Sequence, residues 1–233
     1  MSATPRQRPV ALVTGGSRGI GRAICEALAP DHHVVVGGRS VDAVAPVLAA
    51  LPSAEPFVCD LTDEDSTAAA VAGLDRLDVL VHSAGVTDPG TLASAPRDIW
   101  RRTLELNVVA VAGLTRLVLP LLRQAHGQIV MINSGAGFTA GPGNGPYAAS
   151  KFALRALTDA LRAEERGRIR VIAIHPGRVD TDMQVHLQTA AGREYVPEDH
   201  LRPQSVAEAV VFALGAPADA IVESLTIRPI ERG

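Results

Sequence analysis

Cysteine is nearly absent from this 233-residue chain: Cys25 and Cys59 stand alone. Neither belongs to a C-x-x-C or Cys/His pattern, so no redox or metal motif is present. Buried free thiols are expected at both, which suits a reducing cytoplasm. The 7 histidines are scattered, and no metal site is expected. Aromatics make up only 3% of the residues, too few for base-stacking platforms, and a net charge of −3 leaves no basic footprint for nucleic acid. Long hydrophobic runs are missing too. The most apolar stretch, residues 108–122, is interrupted by Thr115, Arg116 and Pro120, so no membrane span is expected. The opening "MSATPRQRP" leads into "VALVTGG" without a signal-type apolar region. The charge runs "RDIWRR" and "RAEERGRIR" read as solvated helix faces and ends. Lysine is the scarcest of the charged types. Of the 22 Lys and Arg residues only Lys151 is lysine, in "YAASK".

What is present is a regular alternation. Hydrophobic residues reach 47%, and the length suits one sizeable core and one domain, residues 1–233. The runs "PVALVTG", "HHVVVGG", "PFVCD", "LDVLVHS", "GQIVMINS", "IRVIAIHP" and "ESLTIRP" are continuously apolar, as strands covered on both faces would be. Helical patterns separate them, with Pro46 and Pro120 expected to disturb theirs. Strand-helix alternation predicts an α/β fold of Rossmann type, a doubly wound parallel sheet of about seven strands with helices on both faces. Residues 182–202 break the rhythm, lack a core period, and are expected to form a lid over a ligand.

Three features carry chemistry. "VALVTGGSRGIGRAI" places a tight glycine turn between a strand and a helix, where Gly15, Gly19 and Gly21 let the backbone approach a pyrophosphate. The second strand ends "VVVGGRS": Gly38 stands where a carboxylate would bond the ribose 2′-hydroxyl of NAD, and Arg39 and Ser40 follow. Without the acid nothing repels a 2′-phosphate, and Arg39 and Arg18 can hold one, so NADP(H) is expected over NAD(H). Tyr147 and Lys151 are one helical turn apart and share a face. An ammonium there favours the phenolate of a tyrosine that must exchange a proton near neutral pH, and guanidinium is a poor substitute for such a point contact.

The glycine spacing together with Tyr-x-x-x-Lys resembles the short-chain dehydrogenase/reductase family, from Val10 to about Asp182 and more loosely beyond. Its motifs stand in family order: "TGGSRGIG", "CDL", "HSAG", "LELN", "INS", "YAASK" and "HPGRVDT". The resemblance implies hydride transfer between nicotinamide and a carbonyl or alcohol. Tyr147 would be the general acid/base, Lys151 its partner, Ser134 the carbonyl-polarising hydroxyl, and Asn107 the holder of a relay water. It implies cofactor contacts at Gly15, Ser17, Arg18, Gly19, Ile20, Gly21, Arg39, Ser40, Asp60, Leu61, Ser83, Ala84 and Gly85. Asn107, Tyr147, Lys151, Pro176, Gly177, Val179 and Thr181 complete that set, with Asp60 at the adenine and Thr181 at the carboxamide. The long helices near 97–125 and 147–166 imply a homodimer or homotetramer.

Departures from the family pattern occur at "HSAG", where His82 and Ser83 replace amides thought to tie neighbouring strands, and at "HPG", where His175 is expected to be structural. The substrate pocket is expected from "SGAGFTAGPGNGPY", with Phe138 its bulky apolar residue, from Arg178, and from residues 183–195. Arg178 and Arg193 could meet a carboxylate, though an exposed charge is the default for each. The alternative is a regulator that binds NADP(H) without turnover, which would have no need of Ser134, Tyr147, Lys151 and Asn107 together. A Ser/His/Asp hydrolase lacks its G-x-S-x-G elbow, since Ser134 lies in "INSGA".

Overall fold

The computed structural model describes residues 8–190 and 192–230. All seven expected strands form: β1 (Val10–Val13), β2 (His33–Gly38), β3 (Ala54–Val58), β4 (Val79–His82), β5 (Gln128–Ile132), β6 (Arg170–Pro176) and β7 (Ser224–Ile227). They pair in parallel throughout, in the order β3-β2-β1-β4-β5-β6-β7. The helices are α1 (Gly19–Leu28), α2 (Val41–Ala50), α3 (Glu64–Val71), α4 (Arg97–Leu104), α5 (Ala110–Ala125), α6 (Gly145–Glu164), α7 (Asp182–Ala190) and α8 (Pro203–Leu214).

The inner strands are almost wholly apolar because both their faces are covered, while the edge strands β3 and β7 expose Glu55, Ser224 and Thr226. Ala11, Val13, Val34 and Val36 pack with Ile24, Leu28, Val44, Val206 and Val210 on one side. Leu12, Val35, Leu80 and Met131 point the other way, into Val111, Leu114, Val118, Leu122 and Leu154. This is the period-2 alternation of strand side chains, read twice over. Leu114 is 1% exposed. Truncating a side chain buried like this to alanine costs about 2–5 kcal/mol.

Several expectations change on contact with tertiary structure. Helices α2 and α5 run straight through Pro46 and Pro120. Both prolines and the residues whose carbonyls they free, Asp42 and Arg116, are exposed, so water can take the lost bonds. The stretch Arg97–Ala125 is one continuous helical run, long and apolar enough by length and composition to cross a membrane. Its inward stripe instead forms part of the sheet-facing core. Glu165, in a run read as solvated, is 2% exposed and clasped by Arg123 on α5. The same run knits the sheet: Arg162 donates to the Val171 carbonyl and Arg170 to that of Ala216. Residues 182–202 are not featureless either. They carry α7 and return to the strand end, where Leu201 exchanges backbone bonds with Arg178 and Asp180.

The topology sets the site. Strand β1 pairs with β2 on one side and β4 on the other, so the chain reverses direction across the sheet at β1. A crevice opens there, above the carboxyl ends of the strands, where ligands of open α/β sheets bind.

Candidate active site

The glycine turn lies between β1 and α1. Gly15 has φ 65°, a conformation open to glycine, and a Cβ there would stand 2.9 Å from the Ala84 Cα. Gly21 presses against the Gly15 carbonyl so closely that no Cβ fits between them. The two glycines bring the start of α1, the turn and the loop after β4 into close contact. Thr14 fastens that loop: its Oγ1 accepts from the Ser83 and Ala84 amides at 3.0 and 3.1 Å. The result is a groove of about 440 Å³. Gly15, Ser17, Arg18, Gly19, Ile20 and Gly21 line it, as do Arg39, Asp60, Leu61, Ser83, Ala84, Gly85 and Thr181.

At the far end of this groove the second strand stops on Gly38. A Cβ at this position would run into the Cγ1 of Val44, a fully buried side chain, so an acidic residue has no place here without repacking α2. Arg39 is exposed at the groove wall. Ser40 does not line the groove: its Oγ accepts from the Ala43 amide and caps α2. Asp60 forms a local turn, accepting from the Thr62 amide and hydroxyl at 3.0 and 2.7 Å, which holds its carboxyl below the usual range. Arg18 reaches Asp182 at 3.3 Å, linking the glycine turn to the first residue of α7. The groove therefore offers backbone amides, Arg18 and Arg39, and a glycine rather than an acid at the end of β2, a set that fits a dinucleotide with a 2′-phosphate.

At the opposite end the groove opens into a larger cleft of about 1140 Å³, with Ile20, Thr181 and Met183 lining both. Ser134, Tyr147, Pro176, Gly177 and Val179 line this second space. Ser134 follows β5 and caps a short 3-10 turn, its Oγ accepting from the Ala136 amide. Tyr147 is in the first turn of α6. Burial raises its pKa, opposed by the neighbouring Ser134 hydroxyl. Lys151 lies one turn further in, 6% exposed, with Nζ donating to the Ile132 carbonyl at 3.0 Å and 5.6 Å from the Tyr147 ring centroid. Burial brings its pKa down to about 8. Lys151 lines neither the groove nor the cleft, and its charge reaches the site through Tyr147.

Asn107 is not in a regular helix. It sits in a π-helical turn, Glu105–Val109, between α4 and α5. The side chain is 1% exposed and fully engaged: Oδ1 accepts from the Val86 amide at 2.9 Å, and Nδ2 donates to the Val86 carbonyl at 2.9 Å and to Ser150 Oγ at 3.0 Å. Ser150 in turn donates to the Tyr147 carbonyl. One amide thus staples the groove loop to the helix that carries the tyrosine. π-turns of this kind recur at functional sites.

Other expected residues fall elsewhere. Phe138 leaves the cleft, its ring 4.5 Å from that of His175 and beneath the Arg155 guanidinium. His175 is buried, within 3.4 Å of the Ser134 carbonyl, and its pKa is lowered by burial: a structural residue supporting Ser134. His82 does not join neighbouring strands. It bonds Thr115 on α5 at 2.9 Å, and burial brings its pKa to about 3, so it is neutral. Thr14, Asn133, Ser150 and Arg228 were not singled out by the sequence. The first three stand inside recognisable motifs, whereas Arg228 carried no signal, being one arginine among many.

A doubly wound sheet with a glycine turn at its switch point and a Ser-Tyr-Lys group beyond it defines a nucleotide-dependent oxidoreductase scaffold. Comparison with known proteins makes this specific. The family model described as short chain dehydrogenase matches residues 9–192. Dehydrogenase/reductase SDR family member 11 of Gallus gallus is 33% identical over 246 residues, covering 96% of this chain and 96% of that protein. Glycine betaine reductase ATRR of Emericella nidulans is 34% identical over 240 residues, but the chain spans only 19% of its length. An alcohol dehydrogenase from the archaeon Thermococcus sibiricus, solved with 5-hydroxy-NADP, superposes with a TM-score of 0.88 at 28% identity, over 97% of this chain and 99% of that one. A variant actinorhodin polyketide ketoreductase solved with NADPH gives 0.87 at 29%, over 95% and 96%. The chain belongs to the short-chain dehydrogenase/reductase family.

Proposed function

We propose that this protein is an NADP(H)-dependent carbonyl reductase, working in reverse as an alcohol dehydrogenase. The observation that carries the reading is the meeting of two spaces: the dinucleotide groove opens at Ile20 and Thr181 into the cleft walled by Ser134 and Tyr147. NADP(H), when bound, supplies or accepts the hydride. The residues of the chain do the rest. Ser134 donates a hydrogen bond to the substrate oxygen as negative charge grows on it. Tyr147, kept protonated by burial, passes its proton to that oxygen in reduction and takes one back in oxidation. The tyrosinate left behind is favoured by the Lys151 ammonium and by the N-terminal turn of α6. Arg39, Arg18 and the blocked position at Gly38 support NADP(H) over NAD(H), as do the ligands named for the two solved relatives.

The test is NADPH consumption with ketones, aldehydes, 3-oxo acids and quinones, with NADH as control and Tyr147→Phe alongside. Turnover lost in the mutant, with NADPH binding kept, supports the assignment. Tight NADPH binding with no turnover of any carbonyl favours a non-catalytic regulator. We also infer self-association through the long α4–α5 run and α6, on the exposed apolar side chains Val109 (54%), in the π-turn of that run, and Phe152 (43%). Light scattering on the purified chain checks this, and a monomer at micromolar concentration would overturn it.

A further inference from the structure

The substrate cleft contains a cation that the proton chemistry does not use. Strand β7 ends at Ile227, paired with Pro176, and the Gly177 amide donates to the Ile227 carbonyl at 2.7 Å. This register delivers Arg228 into the cleft. Its guanidinium lies against Gly135, the residue after Ser134: a Cβ on Gly135 would be 3.3 Å from Nη1 and 3.5 Å from Nη2. Gly177 clears the chain behind it, since a Cβ there would be 2.9 Å from the Pro229 ring. Two glycines therefore make room for one arginine beside the carbonyl-binding serine. No carboxylate or carbonyl among the described residues takes its donors, by hydrogen bond or ion pair. Arg178 and Arg193 line the same cleft, where Asp199 is the one acid among the described residues. The nearby acids are engaged elsewhere, Asp180 by the Tyr195 hydroxyl and Asp182 by Arg18.

We propose that Arg228 reads an anionic group on the substrate, and that the substrate class is short oxo acids and their hydroxy acids, with the carboxylate a few bonds from the reacting carbon. The inference rests on the oxidoreductase reading above. Arg228 is solvent-exposed with its guanidinium against Gly135, next to Ser134, where its planar fork suits bidentate pairing with a carboxylate, and the cleft's excess of arginine draws anions in. Arg228 does not touch the proton path; it sets which carbonyl compound is held for it.

The test compares 3-oxobutanoate with its methyl ester, and with dihydroxyacetone phosphate as a differently shaped anion. Wild type, Arg228→Gln and Arg228→Lys are assayed for NADPH-dependent reduction. The expected result is a wild-type preference for the acid. In Arg228→Gln the acid-to-ester ratio of kcat/KM falls by about 30-fold, the size of a lost hydrogen bond to a charged group. The fall lies mainly in KM, and Arg228→Lys restores part of it. Equal use of acid and ester by wild type, or loss on both in equal measure in Arg228→Gln, overturns the proposal. Preference for the phosphate overturns the carboxylate assignment. Calorimetric binding of 3-hydroxybutanoate and its methyl ester to the NADP⁺-loaded protein separates this inference from the one beneath it. Acid-selective binding that disappears in Arg228→Gln, with no turnover of any carbonyl, supports the anion site while refuting the reductase. Absence of acid-selective binding refutes the anion site whatever the turnover.

Discussion

Replacing Asn107 by alanine is expected to loosen the protein and its cofactor groove together. The side chain makes three hydrogen bonds, two to the Val86 backbone and one to Ser150, in a place with 1% exposure. At about 1 kcal/mol net per bond the loss is roughly 3 kcal/mol, and more if water fails to reach the abandoned Val86 amide and carbonyl. For a chain of this size that is a fall in melting temperature of roughly 6–12 °C. Val86 lines the groove, so the Michaelis constant for NADPH should rise as well. Ser150→Ala removes one of the three Asn107 bonds together with the bond from Ser150 to the Tyr147 carbonyl, and should cost roughly 2 kcal/mol. The two effects should not add, since both substitutions delete the Asn107–Ser150 bond. Calorimetric melting of wild type, both single mutants and the double mutant gives the answer. An Asn107→Ala protein melting within about 2 °C of wild type would refute the staple, because even a single lost bond should shift the midpoint by that much.

Other expectations follow from the same geometry. Tyr147→Phe should lower kcat by roughly a hundredfold or more, the usual worth of a placed general acid, with NADPH affinity retained by fluorescence titration. Arg39→Ser should weaken NADPH binding about ten- to a hundredfold and leave NADH nearly unchanged. Gly38→Asp should not convert the protein to NADH by itself, because the new Cβ meets Val44; the pair Gly38→Asp with Val44→Ala should, as read by the ratio of kcat/KM for the two cofactors. Lys151 titrates at about 8 in the fold against an ordinary 10.5, so the unfolded chain binds more protons between those values. Its burial penalty is therefore complete below pH 8 and relieved as pH rises to 10.5, making wild type gain stability relative to Lys151→Met across that window in urea melts. A difference that stays flat with pH would show that the ammonium is not desolvated as its burial implies.

Strand count, parallel order and the position of the nucleotide turn were legible in the chain because each rests on local periodicity. Runs such as "VVVGG" and "IRVIAIHP" are apolar at consecutive positions, a pattern that two covered faces require and one would not. The Tyr147–Lys151 spacing is likewise local, since one helical turn puts both side chains on the same face in any helix. What distance along the chain conceals is partnership. The ammonium of Lys151 is bound by a carbonyl nineteen positions away, Glu165 is buried because Arg123 comes to meet it, and Asn107 ties Val86 to Ser150. Pro46 and Pro120 are tolerated only because their faces turn outward. Arg228 shows the division most sharply. As a residue it is one of many arginines, and its place beside Ser134 arises from the register of β7 against β6 and from two glycines that leave the space open. Composition and period determined the scaffold and its chemistry, because hydrophobic burial and helix geometry act over a few residues. The contents of the cleft were decided by packing between segments far apart in sequence, where close approach of backbone to side chain depends on every element in between.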